Sequence, residues 1–177
     1  MNKTFEKHSK LLHDALEDTA EFHKQILAVS LQLKEAFSHG KKALVAGNGG
    51  SAAEAQHLSD EMVGRYAKDR PAYPVIALTT DGAVLTCIGN DYGYKHIFEK
   101  PIEMFANPQD ILIAISSSGQ SENILRGVQA ALAKGITVVT LSGFKPENSL
   151  RTMGQINFYV PAIHYGHVEC AHHLLCH

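Results

Sequence analysis

The sequence predicts an α/β fold: a three-layer sandwich with a central five-stranded parallel sheet flanked by helices and preceded by N-terminal helices. Short apolar runs alternate with longer amphipathic stretches, as strands and helices do in such folds. Four of the five runs are apolar almost without interruption, which is typical of parallel strands buried on both faces. Turns rich in glycine or serine follow two of the runs and lead towards helices.

The N-terminal part is predicted to be helical. Apolar residues recur with a helical period across residues 4–38, and His39-Gly40 is a typical helix stop. Helix that precedes the first strand cannot bury its apolar stripe alone. We therefore expect residues 1–40 to pack on the rest of the domain or on another copy of the chain, and to serve in oligomer packing.

The five apolar runs define the strands, and the stretches between them define the helices. The fifth run alternates more than the others and is expected at a sheet edge. The predicted strands are 42–46, 74–78, 110–115, 136–141 and 156–160. The predicted helices between them are 51–66, 83–105, 121–134 and 147–153.

Composition narrows the class of protein. The 177 residues suit a single domain over 1–177, and 45% hydrophobic with 19% charged residues is globular composition. A net charge of −2 argues against a nucleic-acid partner. No apolar stretch is long enough to span a bilayer, and the charged N-terminus does not resemble a signal peptide. Three cysteines at irregular spacing fit a reducing compartment, so we expect a cytoplasmic protein without a membrane partner.

Two loops at the carboxyl ends of predicted strands are candidates for binding phosphate. Residues 46–51 read AGNGGS and residues 116–121 read SSSGQS, and each leads into a helix. Small residues expose backbone N–H groups, and a helix N-terminus adds partial positive charge. Either loop alone could be an ordinary capped turn, but two at equivalent strand ends favour an anion site. Neither is a Walker A loop, and a dinucleotide-binding motif fits poorly.

The chemistry-bearing side chains occur on two predicted helices. His57 and Glu61 are four residues apart and share a helix face. If the chain is helical after Gly166, Glu169, His173 and His177 also share a face. Carboxylates and imidazoles in such pairs suit a divalent metal such as Zn²⁺, or general acid–base catalysis. His57 and Glu61 could also be a solvated surface pair.

Three segments closely resemble the phosphoheptose isomerases of the SIS (sugar isomerase) domain superfamily. They are AGNGGSAAEAQHLSDEMVGRY at 46–66, IGNDYGYKHIF at 88–98 and ISSSGQSENIL at 115–125. The resemblance covers nearly the whole chain. It implies a cytosolic homotetramer, a zinc ion, and isomerisation of sedoheptulose 7-phosphate to D-glycero-D-manno-heptose 7-phosphate, the first step of heptose synthesis for lipopolysaccharide or capsule.

The resemblance also implies roles for individual residues. Glu61 would be the catalytic base and His177 its acid–base partner. The implied metal ligands are His57, Glu61, Glu169 and His177. The implied substrate-binding residues are Asn48, Gly49, Gly50, Ser51, Asn90, Asp91, Ser116, Ser117, Ser118, Ser121 and Glu169, although the spacing of Asn90-Asp91 alone indicates only a turn.

The C-terminal segment departs from the family pattern, which usually reads R-I-Q-E-x-H before a later His. Glu169 stands where the family has Gln, and Cys170 replaces a Glu. The added negative charge could tighten a bound metal and shift neighbouring pKa values. A helix that ends on its catalytic His177 should fray, so we expect the natural chain to continue.

Two alternatives to this function remain open at the sequence level. One is a non-catalytic SIS protein that binds the bacterial replication initiator. The other is an isomerase for a different capsule sugar phosphate, which the departure at Glu169 would suit. The retained Glu61 and His177 favour an enzyme.

Overall fold

A computed structural model describes residues 3–19 and 22–177 and has a parallel five-stranded sheet at its centre. The strands are β1 (Ala43–Gly47), β2 (Val75–Ala77), β3 (Ile111–Ser116), β4 (Thr137–Gly143) and β5 (Ile156–Val160). Their order across the sheet is β2-β1-β3-β4-β5, and every neighbouring pair is parallel. The predicted sheet is confirmed, including the position of the last strand at an edge.

Seven helices are described around the sheet. They are α1 (Lys3–Thr19), α2 (His23–Ser38), α3 (Gly50–Val63), α4 (Gly82–Asp91), α5 (Glu99–Phe105), α6 (Glu122–Ala133) and α7 (Tyr165–Cys176). Two short 3₁₀ turns cover Tyr94–His96 and Ser149–Thr152. Among these elements none is both long and apolar enough to cross a membrane.

The predicted helices at 4–38 and 83–105 are each divided. The first forms α1 and α2, with residues 20 and 21 outside the described part of the chain. The second is interrupted at Gly93, whose φ of 91° lies in the left-handed region and ends the helical path after α4. Pro101 falls in the first turn of α5, where its missing N–H costs nothing. The predicted helix at 147–153 is only the second 3₁₀ turn.

The sheet buries one apolar cluster on each face, which makes the three layers. One face packs against α2 and α3, through side chains such as Leu33 and Leu58. The other packs against α4, α5 and α6, through side chains such as Ile102 and Val128. Alternate residues of β1, β3 and β4 supply the two clusters, so nearly every residue of these three central strands is buried, as the continuous apolar runs indicated.

The N-terminal segment covers β5 and α7. Ala15 of α1 joins Val160, Val168 and Ala171 in a small buried cluster. The outer side of α2 stays open, with Leu27 and Leu31 60% and 56% exposed. Both helices therefore pack on the domain, α1 through Ala15 and α2 through Leu33, while α2 also keeps an uncovered apolar stripe. A role of residues 1–40 in oligomer packing stays a prediction.

The order of the strands creates a crevice between β1 and β3. The chain passes from β1 to β2 on one side of β1, then crosses to β3 on the other. Ligands of open parallel sheets bind at such a reversal, beyond the carboxyl ends of the strands. The loops after β1 and β3, which the sequence marks as phosphate-binding candidates, meet there.

At the opposite end of the sheet, Asp110 ties the start of β3 to the start of β1. Its carboxylate accepts hydrogen bonds from Lys42 Nζ at 2.5 Å, Lys42 N at 3.0 Å and Asn107 N at 2.8 Å. Burial favours the neutral acid, but the hydrogen bonds from Lys42 and Asn107 outweigh it and lower the pKa of Asp110 below its usual 3.8.

We expect Asp110→Asn to lower the free energy of unfolding by about 2–4 kcal/mol at pH 7, because Lys42 loses its buried counter-ion. The folded-state pKa of Asp110 is below the unfolded one. Its stabilisation is therefore complete above the unfolded value and disappears as the pH falls through the folded value. Urea denaturation followed by circular dichroism from pH 7 to pH 3 measures this. Asp14→Asn, on exposed α1, is the matched control, and an equal effect of both variants would contradict the assignment.

Candidate active site and metal centre

A cavity of about 260 Å³ lies in the crevice between β1 and β3. We call it the serine cavity. Its lining residues are Asn48, Gly49, Gly50, Ser51, Ser116, Ser117, Ser118, Ser121, Tyr165 and Glu169. Its walls are the N-terminal turn of α3, the loop after β3 and the first turns of α7. Among the described residues that line it there is no Lys or Arg, so it can bind an anion through hydroxyls, backbone N–H groups and the α3 dipole.

Glycines allow neighbouring segments to pack closely against the two loops. Gly49 has a φ of 54° and Gly119 a φ of 61°, both in the left-handed region. A Cβ on Gly119 would lie 2.0 Å from Asn148 Oδ1, and a Cβ on Gly50 would lie 2.6 Å from Glu169 Oε2. The second contact shows how tightly α7 packs against the start of α3.

Asn48 joins the two sides of the crevice. It exchanges reciprocal hydrogen bonds with buried Asn123 of α6, at 2.9 and 2.8 Å, and accepts a third from Tyr94 Oη at 2.9 Å. The side-chain Nδ2 and Oδ1 of Asn48 thus both form hydrogen bonds within the protein. Asn48 fixes the loop after β1, a role that neither its position in the motif nor its spacing indicates.

Helices α3 and α7 lie side by side and run in the same direction. Gly50 faces Glu169, Glu54 faces His173, and His57 faces His177. We call these three contacts the α3–α7 seam. The residues from each helix are spaced by three or four positions, so each set forms one face of its helix. The seam joins the serine cavity at one end to a histidine cluster at the other.

The histidine cluster has its ring nitrogens arranged around a shared centre. His57 Nε2 lies 3.1 Å from His177 Nε2 and 3.8 Å from Glu61 Oε1. His177 Nδ1 donates to the carbonyl oxygen of His173 at 2.9 Å, and His173 Nδ1 contacts Glu54 Oε2 at 2.7 Å. His177 therefore carries its proton on Nδ1 and leaves Nε2 free.

The donor set fits a divalent cation. Two nitrogens on one tetrahedral Zn²⁺ lie ~3.3 Å apart, given Zn–N bonds of about 2.0–2.1 Å. The separation of the two Nε2 atoms is 3.1 Å. Among the described residues, two groups bring their ligand atoms within 4.8 Å of one another: His57 with His173 and His177, and His57 with Asp60 and Glu61.

A second cavity, of about 310 Å³, opens beside the cluster. His57, Glu61 and His177 line its polar side, together with Tyr66 and Arg70. Its deeper wall is apolar and includes Val139, Leu141 and Phe158. Arg70 is held by hydrogen bonds to the carbonyl oxygens of Glu61 and Met62, at 2.7 and 2.8 Å.

Most of the residues singled out in the sequence meet at these two centres. Glu61 and His177 both reach His57, and all the predicted glycines and serines line the serine cavity together with Asn48. Asn90 and Asp91 do not join them. They are exposed at the end of α4, bonded to each other at 2.8 Å, and line neither of these two cavities.

Glu169 is close to the substrate residues but apart from the other expected metal ligands. It lies in the serine cavity against Gly50, eight residues before His177 on the same helix. Eight residues of helix rise about 12 Å. Within one chain, neither metal-capable group among the described residues includes Glu169, and its role as a metal ligand stays a prediction.

Three residues at these two centres were given no function by the sequence analysis. The spacing on α7 predicts His173 on the same face as His177 but assigns it no function. Glu54 is one helical turn before His57, so the sequence places it on the same face of α3. That position indicates a contact with His173 only when the packing of α7 beside α3 is known. Tyr165, in the serine cavity, follows no recognisable pattern.

Comparison with known proteins agrees with this geometry. Residues 5–143 match the SIS domain family. A phosphoheptose isomerase of Aquifex aeolicus (strain VF5) is 40% identical over 159 residues, 88% of this chain and 83% of that protein. One of Campylobacter concisus (strain 13826) is 45% identical over 141 residues, 80% and 69% of the two chains.

Solved structures of phosphoheptose isomerases are also similar to this chain. The phosphoheptose isomerase of Neisseria gonorrhoeae superposes with a TM-score of 0.89 at 30% identity, covering 99% of this chain and 94% of that one. That of Francisella tularensis does so with a TM-score of 0.89 at 31% identity, covering 99% and 95%. The resemblance found in the three motifs is confirmed: the chain belongs to the SIS domain family and, within it, to the phosphoheptose isomerases.

Proposed function

We propose that this protein converts sedoheptulose 7-phosphate into D-glycero-D-manno-heptose 7-phosphate, the step that opens heptose synthesis for lipopolysaccharide or capsule. One observation carries the proposal: Glu61 and His177, from distant parts of the chain, converge on His57. The same helix that bears His57 and Glu61 begins at the serine cavity. A carboxylate, an imidazole and an anion site are thus connected by one rigid element.

The reaction moves a proton between adjacent carbons through an enediol. Glu61 takes the proton from the carbon beside the carbonyl, and the C–H electron pair becomes the enediol double bond. In its imidazolium form, His177 gives the proton on Nε2 to the carbonyl oxygen and later takes one from the neighbouring hydroxyl, while Glu61 returns its proton to the other carbon. A Zn²⁺ ion bound at His57 would polarise the substrate oxygens.

The serine cavity would hold the phosphate. Buried Ser116 and Ser117, with Ser118 and Ser121, present hydroxyls beside the α3 N-terminus. Phosphate bound there contributes binding energy remote from the reacting carbons, which can be used to orient them.

A homotetramer in the cytoplasm completes the proposal. The uncovered stripe on α2, with Leu27 and Leu31, supports packing against another copy through residues 1–40. In such an assembly a neighbouring subunit could bring its Glu169 to a histidine cluster, since about 12 Å of α7 separates Glu169 from His177 within one chain.

The base is tested by Glu61→Gln. Because the amide cannot accept the proton, we expect kcat to fall by about 10²–10⁴-fold while KM changes little. Turnover of sedoheptulose 7-phosphate, and solvent deuterium incorporation followed by NMR, measure the loss. Glu35→Gln, on the exposed side of α2, is the control. Full turnover in Glu61→Gln would remove Glu61 from this role, and a wild-type protein that is inactive but binds the initiator would favour the non-catalytic alternative.

The charge of Glu169 is tested by Glu169→Gln. The carboxylate lines the same cavity as the serines, where it repels a phosphate dianion. We therefore expect the variant to lower KM for the sugar phosphate by about 10-fold at low salt, and by less at high salt. Steady-state kinetics at two ionic strengths measure this. Glu103→Gln, on the exposed side of α5, should leave KM unchanged, and a raised KM in Glu169→Gln would show that the carboxylate binds the sugar instead.

A further inference from the structure

We propose that His8, His164 and His167 form a separate site for a divalent transition-metal ion, which fastens α1 to the first turn of α7. We call these three residues the α1–α7 imidazole trio. None of them lines the serine cavity or the cavity beside the histidine cluster. The site is therefore distinct from the centres of the proposed isomerase and goes beyond that function.

The start of α7 brings two of the histidines together. The carbonyl oxygen of His164, the N-cap residue of α7, accepts hydrogen bonds from the N–H groups of His167 and Val168, both at 3.1 Å. These bonds close the first turn of the helix. The rings of His164 and His167, three residues apart, lie side by side with their centroids separated by 5.3 Å.

Helix α1 supplies the third ring. Ala15 of α1 is buried against Val168 of α7, and His8 lies seven residues earlier, two turns away on the same face. His8 is thereby directed at the start of α7. The centroid of its ring is 5.4 Å from that of His167 and 5.6 Å from that of His164. The three separations are nearly equal, so the rings surround a common point.

Two of the three rings already have the spacing of metal ligands. His8 Nδ1 lies 3.4 Å from His167 Nε2, close to the ~3.3 Å between two nitrogens on one tetrahedral Zn²⁺. His167 is 7% exposed, so packing holds its ring in place. One nitrogen from each of the three rings does not yet lie within 4.8 Å of the others. His164 is exposed, and its ring can turn about the side-chain bonds to complete the set.

The donor set selects the class of ion. Imidazole nitrogens suit Zn²⁺, Cu²⁺ and Ni²⁺, whereas Mg²⁺ and Ca²⁺ prefer oxygen ligands. Among the described residues, no carboxylate forms an ion pair with a ring of the trio. A hydrogen bond between His8 and His167 explains the approach of those two rings, but it does not explain the third. A cation bound by three lone pairs accounts for all of them.

A bound ion would strengthen a contact that is otherwise small. Of the side chains of α1 that the structure describes, only Ala15 is buried. A metal bridge at His8 gives the helix a second point of attachment, two turns away. Because metal binding stabilises the state that holds the ligands together, Zn²⁺ should keep α1 docked on α7.

The experiment is a calorimetric titration of the full chain with Zn²⁺ after removal of metals by a chelator. The wild type is compared with His8→Gln and His164→Gln, which change exposed rings of the trio. His13→Gln is the matched control, because His13 is exposed on the same helix but pairs with Glu17. His57→Gln removes a ring from the histidine cluster instead. Circular dichroism checks that each variant is folded.

We expect the wild type to bind an equivalent of Zn²⁺ that His8→Gln and His164→Gln each bind more than about 10-fold more weakly. His13→Gln and His57→Gln should retain this equivalent at the affinity of the wild type. Unchanged binding in both trio variants overturns the proposal. Loss of the same equivalent in His57→Gln also overturns it, because the ion would then belong to the histidine cluster.

A second measurement locates the ion and tests its effect on α1. Long-range ¹H–¹⁵N spectra of the wild type should show that Zn²⁺ shifts the ring nitrogens of His8, His164 and His167. Hydrogen exchange of the α1 amides should slow when Zn²⁺ is added to the wild type, but not when it is added to His8→Gln. Unshifted rings, or exchange in α1 that Zn²⁺ leaves unchanged, overturns the proposal.

Discussion

The parallel packing of α3 against α7 is the constraint on which the rest of the site depends. The seam places Gly50 at Glu169, Glu54 at His173 and His57 at His177. A shift of one residue along either helix would move all three contacts to other faces, because neighbouring residues point about 100° apart. The α7 wall of the serine cavity and the histidine cluster are therefore positioned by the same packing.

His172 keeps α7 in this orientation. It is 1% exposed, and its Nε2 donates to the carbonyl oxygen of Ser142 at 3.3 Å. Burial lowers the pKa of His172 to about 4, so the ring is neutral at physiological pH and remains in the interior. With His172 directed inward, its neighbour His173 projects from the next position around the helix, towards Glu54. A residue without chemistry at the site thus determines which histidines reach it.

The fold and much of the site could be predicted because their signals are local. Continuous apolar runs mark buried strands, and His57 and Glu61 share a face because they are four residues apart. The division of 83–105 at Gly93 was not predictable from apolar spacing, since the periodicity continues across a residue whose backbone turns away. Glu169 shows why part of the site could not be predicted from local sequence patterns. Its place on the face shared with His173 and His177 follows from spacing, but which centre it meets depends on how α7 lies along α3. Only the fold shows that, and the same applies to the pairing of Glu54 with His173.

The length of α3 between the two centres bears on the choice of substrate. Seven residues separate Gly50, at the serine cavity, from His57, at the histidine cluster, a rise of about 10 Å along the helix. A substrate that binds at both ends must carry its phosphate far from its carbonyl, on an extended carbon chain. A heptose 7-phosphate meets that condition and a triose phosphate does not. Because the separation is set by a rigid helix rather than by loops, a requirement to bind at both centres would select for the length of the sugar before any hydroxyl is recognised. Contacts with individual hydroxyls would then distinguish sugars of equal length.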